Sequence, residues 1–225
     1  MKKKELYNPI QTDGIVVYFD IYNFSNQLIH GNPMELTSSV LSVWNWIAIH
    51  IAKTDVVIPY LFSDCGFILY KILNHEYKQN ILIQCIEDMQ RLLDTFLEKG
   101  FFVKGGISFG KVFYTNNLLV GTTVLEAVNL EKQSPGVFLI LPSKNVEKLL
   151  LGDSIFKPIH RPFSMPLKGD TGVMKCIPIF PLNLQEYLTR LKFLVENLEF
   201  DGDPKFAKEW RDIYEISIKY LNLLK

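Results

Sequence analysis

Gly14-Ile15-Val16-Val17-Tyr18-Phe19-Asp20 is a continuous apolar run that ends on a carboxylate. A short stretch rich in β-branched and aromatic residues, bounded by glycine and aspartate, reads as a buried strand. The residues after it predict a short helix over 22–28. Asn32-Pro33-Met34-Glu35 then has the marks of a second helix start: asparagine as the cap, proline in the first turn, glutamate three residues after the cap. Leu36, Val40, Trp44, Ile47 and Ile51 give that helix one apolar face.

Working outward, residues 56–63 and 66–72 read as two strands joined at the polar break Ser63-Asp64-Cys65, a hairpin turn. An amphipathic helix follows over 76–99, with Leu82, Cys85, Met89, Leu92 and Phe96 inward and Gly100 as its stop. Residues 101–114 read as a strand interrupted at Gly105-Gly106 and Gly110. Asn116-Asn117 marks a turn into a short strand ending at Val120. A helix over 124–132, a buried strand over 137–141, and a helix capped by Ser143 and running to Leu151 come next. A hairpin over 163–180 turns at Gly169-Asp170-Thr171-Gly172, and helices over 184–198 and 204–224 close the chain. This order predicts an α/β (α+β) fold, a mixed sheet of ferredoxin-like character flanked by helices. Residues 1–181 form the domain. Residues 182–225 form a helical extension, packed on the domain or on a dimer partner through aromatics such as Phe193, Phe206, Trp210, Tyr214 and Tyr220.

The 225 residues, 48% hydrophobic, suffice for one large core. Lysine plus arginine and aspartate plus glutamate number 24 each, so no global field draws DNA, RNA or an anionic membrane. The apolar stretch 40–52 is too short to span a bilayer. Three scattered cysteines without metal-knuckle spacing fit buried thiols in a reducing compartment. The N-terminus does not read as a signal peptide. The expectation is a cytoplasmic protein. The four histidines show no ligand spacing, and no P-loop or Gly-x-Gly-x-x-Gly is present.

Asp20 ends one strand and Asp64 sits on the following hairpin, so neighbouring strands would bring both carboxylates to one sheet edge. Two hard oxygen donors so placed suit Mg²⁺ or Mn²⁺. On spacing alone the structural reading, Asp20 as a helix cap and Asp64 as a turn residue, stands ahead.

The neighbouring residues add a resemblance. Val17-Tyr18-Phe19-Asp20-Ile21-Tyr22-Asn23-Phe24-Ser25 resembles the first metal motif of class III adenylyl and guanylyl cyclases. Leu61-Phe62-Ser63-Asp64-Cys65-Gly66 resembles their second, with Ser63 in place of a glycine. Gly106-Ile107-Ser108-Phe109-Gly110 is similar to their Gly-Ile-x-x-Gly strand. Gly121 to Glu131 is similar to their Gly-x-x-Val-Asn-x-Ala-x-Arg-Leu-Glu segment, and Leu167-Lys168-Gly169 to their terminal hairpin. The resemblance covers roughly residues 14–180.

It implies a cyclase converting a nucleoside triphosphate to a 3′,5′-cyclic nucleotide and pyrophosphate. Two divalent cations, Mg²⁺ or Mn²⁺, would be held by Asp20, Asp64 and the Ile21 carbonyl. It also implies that the backbone of Tyr22, Asn23, Phe24 and Ser25 cradles phosphates, that Lys168 contacts the triphosphate, and that a homodimer forms composite sites. Where the family places a catalytic asparagine and arginine, this chain has Leu125 and Asn129. The missing guanidinium opens a second reading, a pseudo-cyclase that binds metal-nucleotide or dimerises without turnover, unless Lys104 or Arg161 replaces it. Base-reading positions match Tyr60 and Leu118. With Lys104, Tyr60 would form an aromatic and basic pocket similar to that of bacterial anti-phage cyclases that make pyrimidine cyclic nucleotides. Tyr60 reads equally well as a half-buried strand tyrosine.

Overall fold

The computed structural model describes residues 8–149, 163–166, 172–201 and 204–223. The opening run becomes strand β1 (Ile10–Ile21), followed by α1 (Phe24–His30) and α2 (Pro33–His50). The Asn32 side chain accepts a hydrogen bond from the Met34 amide at 3.1 Å, so the expected cap is present. Next come β2 (Val57–Leu61), β3 (Cys65–Ile72), a 3-10 turn (His75–Tyr77) and α3 (Lys78–Glu98). Gly100 ends α3 with φ of 82°, a conformation glycine adopts without steric cost. The remainder is β4 (Val103–Tyr114), β5 (Leu119–Val120), α4 (Thr122–Gln133), β6 (Leu139–Pro142), α5 (Ser143–Leu149), β7 (Phe163–Pro166), β8 (Val173–Ile179), α6 (Leu184–Asp201) and α7 (Pro204–Leu223).

Among the described residues these strands form one mixed sheet in the order β2-β3-β1-β4-β6-β8-β7, with β5 paired to β4. Among the described residues only β4 and β6 pair in parallel, across the α4 crossover. The expected α/β class and mixed sheet are what the chain adopts.

Alternation along the strands divides the core. Ile15, Val17, Phe19 and Ile21 pack with Ile68, Tyr70 and Ile107 against α2, α3 and α5, through Val43, Ile47, Leu82, Met89, Phe96 and Val146. On the opposite face Val16, Tyr60, Leu69 and Val112 meet Val124 and Ala127 of α4. Further along that face Phe138, Ile140 and Cys176 meet Tyr187, Leu191, Trp210 and Ile213 of α6 and α7. Residues 15–17 of β1 are buried, whereas from Tyr18 onward half-buried and buried residues alternate. One face therefore opens toward the C-terminal end of β1, which carries Asp20.

Two expectations need correction. β4 is continuous through its glycines. At Gly106 a Cβ would lie 2.4 Å from the Ala127 carbonyl oxygen, and at Gly105 2.2 Å from that of Tyr18. The glycines admit α4 and the neighbouring strand to close contact; they do not break the ladder. Ser143 is the first residue of α5 rather than its cap, and its hydroxyl is buried without a hydrogen-bond partner. Phe193, expected to pack on the domain or on a dimer partner, is 65% exposed on the single chain. Residues 167–171, which hold Lys168 and most of the turn expected at 169–172, lie outside the described residues, as does Arg161.

Candidate functional site

β1 pairs antiparallel with β3 and with β4, and the registers put Asp20 beside Cys65 on one side and Lys104 on the other. The turn before β3 is closed by the Phe62 amide donating to the Cys65 carbonyl at 2.9 Å. The Ile21 amide donates to the Asp64 carbonyl at 2.9 Å, which fixes the hairpin tip against the end of β1. The Trp44 indole N–H donates to the Phe62 carbonyl at 3.1 Å and anchors the same tip to α2.

The result is a cluster of half-buried groups. Ligating atoms of Asp20, Asp64 and Cys65 all lie within 4.8 Å of one another. Two carboxylates at this separation can close on one divalent cation, and their hard oxygens fit Mg²⁺ or Mn²⁺. The neighbouring thiol would add a softer donor. The Asp20 carboxyl is pushed up to about 6, first by burial, then by the charges of Glu131 and Asp64, against an opposing pull from Lys104. Burial also raises the Cys65 thiol, although a hydrogen bond with Tyr18 lowers it. Crowded, partly desolvated carboxylates of this kind are what a cation neutralises.

Lys104 forms an ion pair with Glu131 of α4, which is 5% exposed. Its ammonium also lies 5.6 Å from the centre of the Tyr22 ring. Lys104 therefore belongs to the carboxylate cluster. The expectation that it shares a pocket with Tyr60 fails, because β3 and β1 separate the strands that carry them, roughly 14 Å across the sheet. The Tyr60 hydroxyl instead donates to the Thr115 carbonyl at 2.7 Å, and the Thr115 amide donates to the Leu118 carbonyl at 2.8 Å. The structure thus joins Tyr60 and Leu118 at one turn, with Leu118 half exposed.

The turn after Asp20 corrects one further expectation. The Tyr22 amide is not free for phosphate, since it donates to the Phe102 carbonyl at 2.8 Å. Asn23 takes a left-handed conformation with φ of 61° and leads into α1, with Phe24 buried and Ser25 exposed. On α4, Leu125 and Asn129 lie one turn apart, both exposed on the same face. The sequence reading passed over Glu131, Cys65 and Trp44 as parts of this site. Glu131 had a signal: a glutamate on the buried stripe of a helix, opposite a lysine-bearing strand, needs a partner.

No protein-family model matches the chain, and no curated protein matches it. Solved structures do. The catalytic core of a rhodopsin-guanylyl cyclase with converted specificity, in complex with ATPalphaS, is 18% identical, with a TM-score of 0.56 over 77% of this chain and 98% of that one. The guanylyl cyclase Cya2 is 14% identical, with a TM-score of 0.53 over 76% and 93%. The guanylate cyclase domain of RhGC from Catenaria anguillulae, in complex with GTP, is 19% identical, with a TM-score of 0.52 over 76% and 98%.

The chain has the fold of a class III nucleotide cyclase catalytic domain. The cyclase fold accounts for most of the chain but not all of it. Nearly the whole rhodopsin-cyclase core is matched, while about a quarter of this chain has no counterpart there. Among the described residues no helix is long and apolar enough to cross a membrane.

Proposed function

We propose that this protein is a nucleotidyl cyclase, which converts a nucleoside triphosphate to a 3′,5′-cyclic nucleotide and pyrophosphate. The observation that carries the reading is the pair Asp20 and Asp64 brought to one sheet edge within a cyclase fold. Asp20, Asp64 and the Ile21 carbonyl would hold two Mg²⁺ or Mn²⁺ ions. Such ions lower the pKa of a bound hydroxyl and neutralise phosphate charge. Asp20 and Asp64 supply the negative charge that retains them. The backbone of Asn23, Phe24 and Ser25, together with Lys168, receives the triphosphate. Tyr60 and Leu118 lie toward the base, and a pyrimidine product would fit a role in signalling or phage defence.

The site is completed by a second copy of the chain. Leu125 is 64% exposed and Asn129 stands one turn beyond it. In a two-fold homodimer this face of α4 meets the carboxylates of the partner, and Asn129 contributes the polar contact. Incubation with each of the four triphosphates and Mn²⁺, with products resolved by mass spectrometry, tests the activity and identifies the base. A cyclic product absent from an Asp20→Ala control is the expected result. No product from any triphosphate would sink the cyclase reading.

A second reading rests on the same helix face. Leu125 offers no hydrogen bond and Asn129 no charge, so neither position supplies a cation to stabilise the transferred phosphoryl group. Under this reading the protein binds metal-triphosphate without turnover. Calorimetry would then show Mn²⁺-dependent triphosphate binding that Asp64→Ala abolishes, in the absence of product.

A further inference from the structure

Helix α7 meets the site at Tyr22. Tyr22, two positions after Asp20, is 9% exposed. Its ring meets that of Trp210 on α7 edge-on, with centres 5.1 Å apart and planes at 88°. Its hydroxyl is hydrogen-bonded to Glu209, and this bond, after burial, holds the phenol above its ordinary pKa. Trp210 also packs on Phe102 at 5.4 Å, the residue whose carbonyl accepts from the Tyr22 amide. The Tyr22 ring also lies near the Lys104 ammonium, whose strand position is opposite Asp20.

The turn that Tyr22 opens is strained. Asn23, with φ of 61°, is the one non-glycine residue at positive φ among the described residues. A left-handed residue persists where its surroundings over-determine it. Asn26 supplies part of that constraint by donating its side-chain amide to Asn23 Oδ1 at 2.6 Å. Tyr22 is buried in a cluster outside the turn, to which α7 contributes Trp210 and Ile213.

The geometry points to Glu209 and Trp210 as positioning residues, which act through Tyr22 to hold the turn between β1 and α1 in its triphosphate-receiving form. This rests on the metal-triphosphate reading above, and it assigns α7 a role in the site. The backbone of Asp20 is fixed by strand pairing and that of Asp64 by the Ile21 amide, with no contact to α7 in either. The turn meets α7 through Tyr22. Loss of the α7 contact should therefore weaken phosphate binding and leave cation binding in place.

The test uses the full chain, Mn²⁺ alone followed by electron paramagnetic resonance, and Mn²⁺ with inorganic tripolyphosphate followed by calorimetry. Glu209→Ala is expected to weaken tripolyphosphate binding roughly tenfold while Mn²⁺ affinity changes less than about twofold. Glu209→Gln keeps an oxygen that accepts from the Tyr22 hydroxyl and should restore binding. Without any ligand, amide hydrogen exchange in the peptide covering residues 21–26 should be faster in Glu209→Ala and in Trp210→Phe. Unchanged exchange in that peptide, or equal losses of Mn²⁺ and tripolyphosphate affinity, would overturn the inference. If the unmodified protein binds neither probe, the reading of the site fails, and the exchange measurement still decides whether α7 holds the turn.

Discussion

Asp20 and Lys104 stand opposite each other across the β1–β4 ladder, yet the Lys104 ammonium is paired with Glu131. Asp20 thus sits between a lysine already engaged and two further carboxylates, Glu131 and Asp64. Burial and the two like charges outweigh the lysine, and its carboxyl is raised to about 6.

A raised folded-state pKa makes a stabilising contribution at low pH that is lost as pH rises through the folded value. For Asp20 the contribution is complete below about pH 4, its ordinary range, and is gone above about 6. In metal-free protein at pH 7.5, Asp20→Asn should therefore raise stability by roughly 1–2 kcal/mol, allowing for the partial exposure of the group. The gain should vanish by pH 4.5 in urea denaturation. Saturating Mn²⁺ should stabilise the unmodified protein and not the variant. An equal gain at both pH values would show that Asp20 is not strained by its neighbours.

The Lys104–Glu131 pair makes a separate prediction. Removing one member of a buried ion pair strands the other charge. Lys104→Met should cost roughly 3 kcal/mol in urea midpoint experiments, because Glu131 is left buried without its partner. The double variant Lys104→Met/Glu131→Gln should recover most of that loss. Failure of the second substitution to rescue would mean that Lys104 acts through its packing on Tyr22 instead.

Most of the fold was legible because its signals are local. The run 14–20, the Asn32-Pro33 start and the stripe from Leu82 to Phe96 each specify an element without knowledge of its neighbours. Asp20 and Asp64 were legible as a pair because hairpin chemistry at Ser63-Asp64-Cys65 puts the second carboxylate next to the strand that ends on the first. What escaped was set by pairing between distant segments. That Lys104 meets Glu131 and lies three strands from Tyr60 depends on strand order, which the residues around Lys104 do not encode. The glycines of β4 misled for the same reason, since their use is to admit α4 and β1.

That use can be measured. At Gly106 an added Cβ would lie 2.4 Å from both the Ala127 carbonyl oxygen and the Leu130 Cβ. Backbone cannot yield as a flexible side chain can, so Gly106→Ala should cost roughly 3 kcal/mol or displace α4. At Gly100 nothing lies within 4 Å and only the φ of 82° is at issue. Gly100→Ala should cost roughly 1 kcal/mol. Comparable losses at the two positions would argue against the close approach of α4 to the sheet.

The final prediction concerns assembly. Leu118, Val120 and Leu125 are 50%, 42% and 64% exposed, where the resembling family carries polar catalytic residues. Leu119 is half-buried against the sheet and contributes less. Exposed apolar area of this kind is covered in a stable protein more often than it is left to water. Burial is worth roughly 25 cal/mol per Å², part of which association consumes in lost freedom. A two-fold dimer would bury the face once on each subunit and place Asn129 of each chain toward the carboxylates of the other. The unmodified protein should run as a dimer in size exclusion with light scattering. Leu125→Asp places an unpaired charge in that interface and should shift it to monomer with an unchanged circular dichroism spectrum. The same variant should retain Mn²⁺ binding, since Asp20 and Asp64 lie on one chain, and should lose cyclic product, since the site needs two. A monomeric unmodified protein, with and without Mn²⁺ and triphosphate, would remove the composite site and with it the proposed catalysis.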